Sequence, residues 1–234
     1  MPGSAATSAY SNLYSIDGPT FVGLQRSQYV IPDKVTASVG YMFPALFDGD
    51  GVKLNFFYTA FSQGAYSYIY SNDMNGDGMA TDLMYIPKDV NELVWASEED
   101  KNAFQTFMNN DPYLSTHKGD YAEAYAGRSP WVHYLDMRIA KTFKKTYGKT
   151  THCFEISANF DNVLNMLNSS WGLYKLAYNG SNSTISPLKV DIVDNTPVYS
   201  MNKVNGEYPT HTYTETYINT NQCWGVLLGL KYSF

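Results

Sequence analysis

Residues Gln222–Phe234, QCWGVLLGLKYSF, decide the fold. Taken every second residue, they place Trp224, Val226, Leu228, Leu230, Tyr232 and Phe234 on one face and Gly225, Leu227, Gly229, Lys231 and Ser233 on the other. That is the period-two pattern of a β-strand. The apolar face is unbroken and aromatic at both ends, while the opposite face carries glycines, a lysine and a serine. A strand that points into a dry core needs the reverse. The pattern fits a membrane β-strand with lipid outside and a polar lumen inside. A soluble edge or sandwich strand also alternates, so the choice between them depends on the rest of the chain.

Moving outward, Thr151–Asn162 repeats the pattern, with Phe154, Ile156, Ala158 and Phe160 opposing Cys153, Glu155, Ser157, Asn159 and Asp161. A short turn, Thr146–Lys149, joins it to Trp131–Lys145, where Leu135, Met137, Ile139 and Phe143 oppose Tyr134, Asp136, Arg138, Ala140 and Thr142. Asp136 and Arg138 share a face, which suits a polar lumen better than a sealed core. Nearer the N-terminus, Val52, Leu54, Phe56, Tyr58 and Ala60 alternate against Lys53, Asn55 and Thr59, directly after the turn Asp48-Gly49-Asp50-Gly51. The preceding stretch, 35–47, alternates through Ala37, Val39, Tyr41, Phe43, Ala45 and Phe47, and Pro44 within it requires a bulge or an early strand end.

Five strands thus alternate with short, long, short and long connections. Both tight turns (48–51 and 146–149) fall on one side and both long excursions (73–130 and 163–219) on the other. Outer-membrane barrels have this asymmetry, and an odd strand count implies part of a larger barrel. The 73–130 excursion contains one helix, with Ser97 as N-cap, an acidic first turn of Glu98, Glu99 and Asp100, and an apolar stripe of Ala103, Phe104, Phe107 and Met108. It ends at Asn109, Asn110 and Pro112. Residues 1–32, rich in Ser, Gly, Pro and Tyr, read as a loop or an added N-terminal segment, and 33–234 as strands and external loops of the barrel.

Composition agrees. The chain of 234 residues has 21 tyrosines and 12 phenylalanines, and only 16% of it is charged, against roughly 25% in soluble domains. Its mean hydropathy of -0.32 suits alternate apolar positions that never accumulate into a run. No stretch approaches the ~20 apolar residues of a transmembrane helix. The opening MPGSAATSAYSN has neither a basic nor an apolar signal region, so on the membrane reading the export signal is expected to lie upstream or to have been removed. A net charge of -6 without a basic patch argues against nucleic acid. Cys153 and Cys223 would stand roughly 25 Å apart in a paired final hairpin at ~3.3 Å per residue, so they are expected as free, buried thiols.

The stretches FEISANFDNVLNMLNSSWG (154–172), YIYSNDMNGDGMATDLMYIP (68–87), RSPWVHYLDMRIAKTF (128–143) and the closing LGLKYSF together resemble the C-terminal end of a TonB-dependent outer-membrane receptor. The nearest branch is the SusC-like and Oar-like receptors of the Bacteroidetes, and the likeness extends from about Asp33 onward. It implies an all-β fold: an antiparallel transmembrane β-barrel segment, about five long strands of a barrel of about 22, with long extracellular loops. It further implies a plug, energy from TonB, a SusD-like lipoprotein partner, a bacterial outer-membrane location and import of a bulky nutrient such as a glycan, peptide or chelate. Trp224, Tyr232 and the terminal Phe234 match the signal read by the barrel-assembly machinery. Plug, TonB-contacting segment and most of the barrel lie outside this sequence, so the chain is expected to be a piece of such a receptor.

Asp73-Met74-Asn75-Gly76-Asp77-Gly78 matches the first half of a calcium loop, with Asp82, Thr81 and the Met79 carbonyl as further oxygens. Met84 stands where the bidentate Glu belongs, so an Asx-rich turn without Ca2+ is the equal alternative. The four histidines (117, 133, 152 and 211) lack zinc spacing, and no catalytic constellation appears. Tyr113, Tyr121, Tyr125, Trp171 and Tyr174, with Trp131, lie in or beside the long loops, where they could stack on a sugar or peptide. Interfacial anchoring is favoured for Trp131 and Trp171. The competing class is a soluble or surface-attached, calcium-dependent β-rich binding module.

Overall fold

The computed structural model describes residues 13–18, 20–21, 23–27, 29–44, 50–179, 183–213, 215–217 and 222–234. It is 47% strand and 13% helix. The strands are β1 (Lys34–Phe43), β2 (Asp50–Ser62), β3 (Ala65–Tyr70), β4 (Val94–Trp95), β5 (Gly127–Arg128), β6 (Trp131–Tyr147), β7 (Thr150–Asp161), β8 (Tyr174–Leu176), β9 (Thr184–Val193), β10 (Thr196–Met201), β11 (Glu215–Tyr217) and β12 (Gly225–Ser233). Two compact units share the chain: a sheet unit of residues 33–63, 131–174 and 216–234, and a connection unit of residues 1–32, 64–130 and 175–215.

The sheet unit contains all five expected strands, joined as one curled antiparallel sheet in the order β1-β2-β6-β7-β12. They run to 10, 13, 17, 12 and 9 residues, against a usual ~5–6 and the ~9–11 that a tilted membrane strand needs. Pro44 does end β1 early, at Phe43, and the 45–49 part of the first turn lies outside the described residues. The second turn is tight: Tyr147 pairs with Thr150, and Gly148 supplies the left-handed backbone at φ 62.

Register brings the alternating faces together across the sheet. Tyr41, Leu54, Ile139, Ala158 and Leu228 form one row, and Val39, Phe56, Met137, Phe160 and Val226 the next. The row between them on the opposite face is Gly40, Asn55, Arg138, Asn159 and Leu227. On that face Arg138 donates to Asn159 Oδ1 and to Glu155 Oε1, each at 3.1 Å, and Thr142 Oγ1 donates to Glu155. Leu227, Phe57 and Met42 are exposed apolar exceptions on it.

The apolar face is left open to its surroundings, with Val39 68%, Leu228 75% and Leu230 74% exposed. Its ends carry aromatic groups paired with histidine. At one end Tyr58 Oη meets His133 Nδ1 at 2.7 Å, beside Trp131. At the other His152 Nδ1 meets Tyr232 Oη at 2.6 Å, and Tyr232 stacks on Phe234.

Cys153 lies opposite Ser233, and both cysteines are free. The expected burial fails: Cys153 is half-buried and Cys223 exposed, because neither faces a sealed core. Beyond β7, Asn162 adopts φ 50, caps the short helix Val163–Leu167, and donates through Nδ2 to the carbonyls of Gly172 and Gln222. Gly172 is required there, since a Cβ would meet Asn162 Oδ1 at 2.2 Å.

The connection unit is no mere set of loops. It holds a second five-stranded sheet, ordered β4-β10-β9-β3-β5, in which β3 runs parallel to β9 and β10 parallel to β4. Asp194 and Asn195, at φ 47 and 62, turn β9 into β10, the hairpin geometry that Asp and Asn tolerate best. The expected helix is present as Glu98–Asn110, with Ser97 accepting from Asp100 N. Its Phe104, Phe107 and Met108 pack with Tyr66, Tyr68, Tyr70, Ile185 and Leu188 in one core.

Candidate binding cleft in the connection unit

The helix Glu98–Asn110 turns sharply into a second short helix, Pro112–Thr116, at Asp111. Asp111 is buried, and its carboxylate does three things. Oδ1 accepts from Tyr113 N and Leu114 N, each at 2.9 Å, capping the second helix, while Oδ2 accepts from Thr212 Oγ1 at 2.6 Å. Tyr68 Oη reaches the same threonine at 2.7 Å. Asn110 Nδ2 donates to the Thr210 carbonyl at 3.0 Å, so the corner and the 210–213 segment are tied together.

A cleft of about 700 Å3 opens beside this corner, lined by Tyr66, Tyr113, Tyr213, His117, Arg26 and Arg128 among others. Gly127 lets Tyr66 lie close, since a Cβ there would meet its ring at 2.4 Å. Tyr213 Oη pairs with Ser129 Oγ at 2.9 Å, and burial pushes its hydroxyl up to about 12. Burial also raises Tyr66 and Tyr113, so all three hydroxyls remain neutral donors near pH 7. The Tyr113 ring lies near-parallel to His117 (4.2 Å between centroids) and to Tyr68 (5.9 Å). Arg26 pairs with Glu123 at 3.7 Å.

The expected aromatic set does not converge. Tyr113 alone lines this cleft; Tyr121 packs on Tyr85 and lines a second one of about 560 Å3. Tyr125 is buried at φ 53 against Tyr14, so it is core and unable to stack on a ligand. Trp171 and Tyr174 belong to the sheet unit, where Trp171 is exposed and Tyr174 packs on Phe61 and Tyr134. Trp224, Tyr232 and Phe234 all lie exposed on the apolar side. Tyr66, Tyr213, Arg26, Arg128, His117 and His211 were invisible as a group, because segments up to 187 residues apart (26 to 213) assemble them. No family model, curated protein or solved structure matches the chain.

The Asp-rich loop closes on itself. Asp73 accepts from Gly76 N, Asp77 N and Gly78 N; Asn75 accepts from Asp77 N; and Asp77 accepts from Met79 N. Buried Asp82 accepts from Met74 N, Asn75 N and Asn75 Nδ2, and burial raises its pKa against those amide bonds. Thr81 is buried beside it. Among the described residues no three His, Cys, Asp or Glu side chains are grouped to hold a metal ion.

Proposed function

We propose that the sheet unit is part of the C-terminal barrel of a TonB-dependent outer-membrane receptor, SusC-like or Oar-like, that imports a bulky nutrient. The connection unit then forms part of its external substrate-binding surface. One observation carries this reading: five long strands present an exposed, mainly apolar face with aromatic ends, broken by Lys141, whose ammonium lies 5.5 Å from the Phe143 ring centre, and a hydrogen-bonded Arg138–Glu155–Asn159 strip on the other side. In a soluble sheet the apolar face would be covered and the charged one open. Among the described residues β1 and β12 each pair on one edge only. Backbone groups in lipid must be satisfied internally, so further strands of the barrel complete both edges. TonB, a plug and a SusD-like lipoprotein follow from the resemblance alone.

The test is preparation of the full chain with and without detergent. The expected result is a monodisperse, β-rich particle only in detergent. A monodisperse folded protein in plain buffer would overturn the membrane reading, because the apolar face would then be solvent-exposed at no penalty.

A further inference from the structure

We infer that the cleft beside Asp111 binds a small amphiphilic carboxylate: an apolar ring carrying one carboxylate and a neutral hydrogen-bond donor, as in an N-acylated aromatic amino acid or a peptide C-terminus. As the cargo class of the proposed receptor, this rests on the preceding reading; as a binding event, it stands on the cleft alone.

Charge comes first. Of the ionised groups lining the cleft, Arg26 is paired with Glu123, and Asp111 spends its oxygens on Tyr113 N, Leu114 N and Thr212 Oγ1. Arg128 is exposed at the rim, and its guanidinium makes no ion pair with any described residue. Among the described residues the cleft therefore offers one uncommitted positive charge, in the forked form that matches a carboxylate. Ligand polarity comes next. Tyr66, Tyr213, Pro112, Ala126 and Pro130 make the walls largely apolar, which favours a ring or short chain over a polyhydroxylated sugar. His117 then sets the donor. Its Nδ1 lies 2.8 Å from the Tyr113 carbonyl and 3.0 Å from Thr116 Oγ1; in the tautomer that donates to the carbonyl, Nε2 is an acceptor for an N–H or O–H of the ligand. A volume of about 700 Å3 accommodates a ligand of this size.

Binding to the full chain, measured by calorimetry with protein-free micelles as blank, decides it. N-acetylphenylalanine is expected to bind at least about tenfold tighter than N-acetylphenylalaninamide. Arg128→Gln should erase that difference, Arg128→Lys restore part of it, and Lys189→Gln, a control outside the cleft, leave it intact. A hexapeptide ending in free phenylalanine separates the sources: tighter binding than the acetylated amino acid assigns the cleft to peptide termini, and weaker binding to free small acids. Equal binding of acid and amide, indifference to Arg128→Gln, or binding of galacturonate in place of N-acetylphenylalanine would overturn the inference. Failure in a chain that still requires detergent would leave the membrane reading standing; loss of the detergent requirement with binding intact would do the opposite.

Discussion

Two buried tyrosines of one core differ in what their hydroxyls meet. Tyr68 shares Thr212 with Asp111, whereas the buried Tyr178 hydroxyl has no partner among the described residues. An unmade bond costs more than a net bond contributes. Tyr68→Phe should therefore lower stability by about 1 kcal/mol, while Tyr178→Phe is neutral or raises it by up to about 1 kcal/mol; denaturant melts followed by near-ultraviolet dichroism read both. Single residues were also where the sequence was least legible. Tyr125 sits among loop residues like any exposed tyrosine, and nothing local reveals that its backbone turns left-handed and its ring enters the core. Arg128 gains meaning only once distant segments fold around it.

At the scale of elements, the long strands were legible because period two runs over nine or more residues in β2, β6, β7 and β12, with Phe57, Lys141 and Leu227 among its few exceptions. β9 was not. Tyr68 pairs with Ile185 but Tyr70 with Leu188, so an extra residue at Ser186–Pro187 shifts the parity of Ile185 against Leu188 and Val190. β3 is buried on both faces, which removes the apolar and polar contrast that pattern reading needs. Parity also makes a prediction on β12. Leu228 and Leu227 are 75% and 63% exposed, nearly alike by area, yet one pairs with Ala158 and the other with Asn159. On folding into lipid vesicles, Leu228→Arg should cost about 2–4 kcal/mol as a lipid-facing substitution, and Leu227→Arg well under half of that. Equal costs would contradict the assignment of faces.

For the whole molecule, the two units face different solvents on the proposed reading. The connection unit has a tyrosine-rich core in which burial holds Tyr66, Tyr68 and Tyr70 well above the ordinary tyrosine value. An unfolded tyrosine ionises near pH 10, so this contribution is complete below that pH and is lost as pH rises toward the raised folded-state values. Tyrosinate absorbance and far-ultraviolet dichroism should change together above about pH 10, with the buried tyrosines ionising only as this unit opens. The sheet unit depends instead on what touches its apolar face. The most direct measurement is paramagnetic accessibility of spin labels at Leu228→Cys and Leu227→Cys, in the full chain reconstituted in lipid vesicles with Cys153 and Cys223 replaced by serine. Lipid contact predicts that the label at 228 collides with oxygen and is shielded from a water-soluble nickel chelate, with the reverse at 227. Equal, water-like exposure at both positions would contradict it.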